Sequence, residues 1–201
     1  MNVLNTHRNT LRLFCALCLA MTTAWLPPTQ ANELKEKIPN RLTDDLVLQI
    51  NVQLGQREEM GKGPDGLRLN YPIVGGTFVG KDIDGKPMQG TVVPGGADMS
   101  VMREDGVTRI NALYRLKTDD GQIIIIDNAG IWRLNESGRA KKAKGLELKD
   151  MKETDFYCRT VPAFKTQPGN HAWMNDYIFV GTIDGVSEHE VLISVYRMGG
   201  V

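Results

Sequence analysis

Histidine is scarce in this chain: His7, His171 and His189 are the only three in 201 residues. No two stand at the His-x-x-His type of spacing that places two imidazoles on one ion, which argues against a zinc-type centre, and no metal is expected. Lys81-Asp82-Ile83-Asp84-Gly85 opens like a calcium loop but lacks the third acidic position and the distal glutamate, so these aspartates read as turn residues. Cysteine is equally sparse. Cys15 and Cys18 lie inside an apolar amino-terminal run, and Cys158 stands alone in the remaining chain, so an internal disulfide framework is excluded there. Serines are few and no Gly-x-Ser-x-Gly elbow occurs, which removes the commonest signature of a serine nucleophile. Gly75-Gly76 and Gly95-Gly96 precede sheet-like runs rather than helices, so the amide-and-dipole cradle for phosphate is missing. No cofactor is expected from this inventory.

Charge excludes as much as chemistry does. Lysine plus arginine and aspartate plus glutamate both number 24, and a balanced chain has no long-range attraction to nucleic acid. The one basic cluster, Arg139-Ala140-Lys141-Lys142-Ala143-Lys144, sits in a polar connection and reads as a solvated face.

The first 31 residues combine Arg8 and Arg12, a short apolar stretch from Leu13 to Leu26, and a small-residue exit at Thr29-Gln30-Ala31. That order is a cleavable signal peptide, and the stretch is too short for an ordinary bilayer-crossing helix of about 20 residues. The expectation is therefore an exported protein, periplasmic or secreted, with no stable membrane insertion after cleavage. Residues 32–44 are a polar leader, and 45–201 form a single domain, long enough to bury about 70% of its unfolded surface.

From Asp45 onward the pattern is that of a sheet protein. Leu46, Leu48, Ile50, Val52 and Leu54 alternate with Val47, Gln49, Asn51 and Gln53, the period of a half-buried strand. Asp-Gly recurs at residues 65, 84, 105, 120 and 184, and this dipeptide suits the tight turn of an antiparallel hairpin because its central residues tolerate positive φ. Strands are expected over 67–73, 76–79, 88–93, 98–102, 107–117, 122–133, 156–165, 173–182 and 188–197, with one helical candidate over 139–152. So many short strands with tight turns imply an all-β, antiparallel up-and-down β-barrel, preferred over a sandwich because closure removes exposed edges.

Polar residues inside these strands are the candidates for function. Asp98 follows Gly95-Gly96 and shares a face with Ser100 and Met102. Period alone leaves two readings: the carboxyl caps the glycine turn in solvent, or it points into a pocket, where it needs a cation, donors or a proton. Asn128 shares a face with Ile124, Ile126 and Gly130, and Arg159 shares one with Tyr157 and Val161; a planar guanidinium there suits a ligand carboxylate. Trp173, Asn175, Tyr177 and Phe179 would share a face on a strand, as pocket for a ring-containing ligand, as core, or as a surface for a second copy.

Several stretches converge on one pattern: Pro72-Ile73-Val74-Gly75-Gly76-Thr77-Phe78-Val79-Gly80, Val93-Pro94-Gly95-Gly96-Ala97-Asp98, Leu116-Lys117-Thr118-Asp119-Asp120-Gly121, Asn128-Ala129-Gly130, the run Tyr157 to Phe164, and Ala172-Trp173-Met174-Asn175. In order and spacing they resemble the domain of unknown function 3237 family. The resemblance implies a lipocalin-like barrel, often a homo-oligomer, with no established cofactor. It favours Arg68, Thr77, Asp98, Asn128, Arg159, Trp173 and Asn175 as ligand-binding residues. The chain departs from the family pattern at Asn111 and Leu113, where relatives usually carry an acid and an arginine, and at His171, which replaces a tyrosine and could relay a proton near neutrality. The function expected is binding of a small aromatic or acidic organic molecule. The alternative is a cofactor-independent lyase, isomerase or decarboxylase with Asp98 as catalytic acid or base.

Overall fold

The computed structural model describes residues 41–146 and 150–200; the expected signal peptide and residues 32–40 of the leader lie outside them. The elements run β1 (Leu42–Leu54), β2 (Glu58–Gly63), β3 (Gly66–Lys81), β4 (Pro87–Met102), β5 (Thr108–Thr118), β6 (Ile123–Leu134), α1 (Glu136–Ala143), β7 (Phe156–Thr166), β8 (Phe179–Ser187) and β9 (Glu190–Gly200), with one-turn 3-10 helices at Glu153–Asp155 and Ala172–Asn175. Successive strands from β3 to β9 pair as antiparallel neighbours, β9 pairs with β1, and β1 pairs back onto β3. This closes an up-and-down antiparallel barrel of eight strands. β2 stands outside the ring, pairing with the first half of β3 while β1 takes the second half.

Alternation explains the walls. Along β5, Ile110, Ala112, Tyr114, Leu116 and Thr118 are buried, and the residues between them are exposed. The isoleucine run of β6 divides the same way: Ile124 and Ile126 are wholly buried, whereas Ile123 and Ile125 are 40% and 37% exposed. Each buried side chain of this size contributes about 1.5–3 kcal/mol relative to exposure.

Four of the five Asp-Gly signals, at residues 65, 84, 105 and 120, sit at hairpin turns, each with its glycine at positive φ. The fifth, Asp184-Gly185, lies inside β8 beside a register shift, and the β8–β9 turn falls at Glu188-His189. The glycine pairs do not end strands as their composition suggests. The expected strands 67–73 and 76–79 are one strand, β3, and 88–93 and 98–102 are one strand, β4; each bends through a register shift at its glycines. Gly76 shows why: a Cβ there would lie 2.0 Å from the Asn51 carbonyl oxygen, so the barrel wall passes only where no side chain intervenes.

Two further expectations are corrected. The helix occupies Glu136–Ala143 rather than 139–152, because Asn135 caps it by accepting from the Gly138 N–H at 3.0 Å, with Glu136 in the first turn and Lys141 and Lys142 in the last. Trp173 to Ile178 is not strand; a 3-10 turn inserts Trp173 and Met174 into one end of the barrel, and β8 begins only at Phe179. There Phe179 meets Phe164 edge-on with ring centroids 4.8 Å apart and Trp173 at 6.0 Å. Together with Phe78, Met88, Leu116 and Ile124 they form the packed core of that end.

Candidate functional site

The other half of the barrel is hollow. Its cavity has a volume of about 620 Å³ and reaches from Tyr114 and Ile73 at the level of the core to Trp132, Leu134 and α1 at the mouth. That size falls in the range of about 300–1,000 Å³ common for small-molecule sites.

Register decides which polar groups face it. Tyr71 pairs with Asp98, Asp98 with Ala112, Ala112 with Asn128, and Asn128 with Pro162. Directly paired residues share a face, so one row crosses five strands, and Tyr71, Asp98, Ala112 and Asn128 all line the hollow. Asp98 and Asn128 stand two strand spacings apart, about 9.5 Å, with only the Ala112 methyl between them.

Asp98 reaches this row because β4 bends at its glycine pair. Gly95 has φ of +95°, and the β4–β5 register shifts between Val93 and Ala97. Gly96 lies flat on Tyr114, since a Cβ there would stand 2.5 Å from the tyrosine Cβ. The Asp98 carboxylate accepts from the Ser100 hydroxyl and from the Asn111 backbone N–H, both at 2.9 Å. Burial raises its pKa above the ordinary 3.8, and these two donors oppose the rise only in part. Asp98 is half-buried, and of the partners such an acid needs the fold supplies two donors, while burial raises its affinity for the proton.

Asn128 is wholly buried, and neither its amide oxygen nor its amide nitrogen has a hydrogen-bond partner among the described residues. The Tyr114 hydroxyl, also buried, is equally unpartnered. Burial raises the Tyr114 pKa, so the phenol stays protonated and can donate. Asn128 and Tyr114 are diagonal neighbours, since Tyr114 pairs with Ile126. The inner end of the cavity is therefore lined by an amide and a phenol whose polar atoms are unpartnered among the described residues, and by a carboxyl whose pKa is raised. Cys158 also lines the hollow, but burial pushes its thiol up to about 11, which makes it a poor nucleophile at neutral pH.

The remaining candidates lie elsewhere. Arg159 points out of the barrel, its guanidinium 5.5 Å from the Tyr157 ring and bonded to the Cys158 carbonyl. The inner face of β7 belongs to Cys158, Thr160, Pro162 and Phe164, and a strand that is off by one residue turns every side chain to the opposite side. Arg68 is on the surface and pairs with Asp65 at 3.0 Å, and Thr77 is exposed on the outside of β3. His171 and Trp173 are buried in the packed end, away from the cavity, with His171 Nε2 3.4 Å from the Asp120 carboxylate. Asn175 is exposed and ties the 3-10 turn to β7, accepting from the Thr166 N–H and donating to the Thr166 and Ala172 carbonyls. Phe179 is core whereas Tyr177 is exposed, so the two do not form one surface. Tyr71, Ser100 and Tyr114 were not among the sequence candidates; the alternation Ile110-Ala112-Tyr114-Leu116 was the signal that points to the last.

The model of the protein family of unknown function DUF3237 matches residues 43–198, which takes in every residue lining the cavity. The chain belongs to the DUF3237 family. Among its relatives, an uncharacterised UPF0311 protein of Rhodopseudomonas palustris is 33% identical over 152 residues, covering 76% of this chain and 94% of the relative. One from Clostridium acetobutylicum is 32% identical over 147 residues, covering 73% and 84%. The crystal structure of the R. palustris protein superposes with a TM-score of 0.68 at 29% identity, covering 79% of this chain and 99% of that one. A beta-barrel like protein of Acinetobacter baumannii gives 0.70 at 25% identity, covering 82% and 100%. Of the three positions expected to depart from the family pattern, Asn111 and Leu113 are on the outer face of β5 and His171 is buried in the packed end, so none of them lines the cavity.

Proposed function

We propose that this barrel binds a small, largely apolar organic molecule whose inner end carries a carbonyl or hydroxyl group. The observation that carries the reading is Asn128: an amide buried without partners among the described residues costs about 1–3 kcal/mol, and the residue lines a cavity of ligand size. Apolar walls from Leu69, Ile73 and Ile110 supply contact area, and the amide supplies orientation. Carboxylate recognition by Arg159 has no support from its outward position. Native mass spectrometry of the purified protein, followed by thermal-shift screening of neutral and acidic aromatics and aliphatics, tests the proposal. A stabilising compound whose effect is lost in Asn128→Leu is the expected result. Equal stabilisation of parent and variant would remove Asn128 from the site.

A second reading, a cofactor-independent lyase, isomerase or decarboxylase, is favoured by Asp98 alone: a cavity-lining carboxyl with a raised pKa is suited to proton transfer. Asp98→Asn would then abolish turnover of a bound compound and preserve binding, whereas turnover at the parent rate would exclude Asp98 as the acid or base. The amino-terminal segment supports export to the periplasm or beyond, and an exported protein whose intact mass begins at Asn32 is the expected outcome.

A further inference from the structure

The basic cluster of the sequence is divided by the fold. Lys141 turns back to Asp155, whereas Arg139 and Lys142, three positions apart and so on one face of α1, line the mouth of the cavity. The acids at the same mouth already have cations: Glu59 pairs with Arg57 at 2.9 Å, Glu104 with Lys62 at 2.7 Å, and Asp105 with Arg103. Arg139 donates to the neutral Leu134 carbonyl at 2.9 Å, and Lys142 has no side-chain partner among the described residues. Neighbouring Arg133 is stacked over the Tyr157 ring at 5.3 Å and is paired with no acid among the described residues. Among the described residues, one side of the mouth thus carries positive charge without a paired acid, above an apolar hollow whose inner end is lined by Asn128 and Tyr114.

We infer that the molecule bound here is an amphiphilic organic anion, held with its neutral carbonyl or hydroxyl end at Asn128 and Tyr114 and its carboxylate or other acidic group at the mouth between Arg139 and Lys142. This rests on the ligand-binding reading above and adds the polarity and direction of the ligand. The distribution of charge supports it: a planar guanidinium and a neighbouring ammonium suit an oxyanion, and a cationic rim over low-dielectric walls concentrates anions at an entrance. Asn128 and Leu134 are six residues apart on β6, about 20 Å, so the ligand is elongated rather than compact.

The test is a fluorescence titration with two probes of the same aromatic body, the anion 1-anilinonaphthalene-8-sulfonate and the neutral N-phenyl-1-naphthylamine. It uses the parent and the double variant Arg139→Ala/Lys142→Ala, whose positions are near the surface and whose folding is verified by circular dichroism. The expected result is mutual displacement of the probes, tighter binding of the anion by the parent, and a loss of about three- to tenfold for the anion alone in the variant. Equal affinity of the two probes for the parent, independent binding without displacement, or a variant that weakens both probes equally or neither overturns the inference and leaves the cavity reading intact. Binding of neither probe by the parent overturns both.

Discussion

Asp98 and Asn128 belong to one cross-strand row of the barrel and are separated by the methyl group of Ala112 alone. An acid whose pKa is raised and an amide unpartnered among the described residues thereby stand on one wall of the apolar hollow. The arrangement suits recognition of a neutral polar group, and it has consequences for stability as well as binding.

Asn128→Leu removes an unpaired buried amide and keeps a side chain of similar size. It is expected to raise the stability of the unliganded protein by about 1 kcal/mol while weakening any cavity ligand. Urea denaturation and a binding titration on the same sample measure both; a variant less stable than the parent would show that the amide is paired in solution.

Because the Asp98 pKa is raised, the folded state holds this proton more tightly than the unfolded chain. Stability from this group is therefore full below about 3.8 and declines as pH rises through the folded value. Asp98→Asn does not titrate, so its stability relative to the parent is expected to be greater at pH 7 than at pH 3. Denaturation midpoints at the two pH values decide this, and an advantage that shrinks with rising pH contradicts it.

Asp155 behaves oppositely. Lys141, the Lys152 N–H and the Ser137 hydroxyl hold its carboxyl down to about 2. The stabilisation is present above 3.8 and is lost as pH falls through about 2. Asp155→Asn is expected to flatten that acid limb and to loosen α1, since Lys141 then has no charged partner. Helical ellipticity and stability followed from pH 5 to pH 2 report on both.

Gly96→Ala places a methyl 2.5 Å from the Tyr114 Cβ and 2.7 Å from the Leu113 carbonyl oxygen. Over-packing of this kind costs about 1–3 kcal/mol, so a clear fall in Tm is expected. An unchanged Tm would mean that β4 does not lie flat on Tyr114.

Much of the wall was legible because it rests on local rules. The alternation of β1 and β5 and four Asp-Gly turns follow from side-chain period and from the positive φ that glycine tolerates. The strand breaks expected at the glycine pairs did not occur, because a bulge and a turn use the same residue type and only the neighbouring strand distinguishes them. Arg159 and Cys158 illustrate a different gap: the two faces of β7 are similarly apolar, so sequence carried no preference for which faced inward. Trp173 was misread as strand because its surroundings alternate, although a 3-10 turn uses that tryptophan to fill the barrel end.

By itself the sequence determined an all-β chain of hairpins, closed into a barrel, with a carboxyl placed after a glycine bend, since period and turn chemistry act between near neighbours. The tertiary structure alone decided that one end of the barrel is packed and the other hollow, that Asn128 and Tyr114 join Asp98 at its inner end, and that Arg139 and Lys142 overhang its mouth. Those relations depend on register between strands far apart in the chain, and register is set by how the whole wall closes.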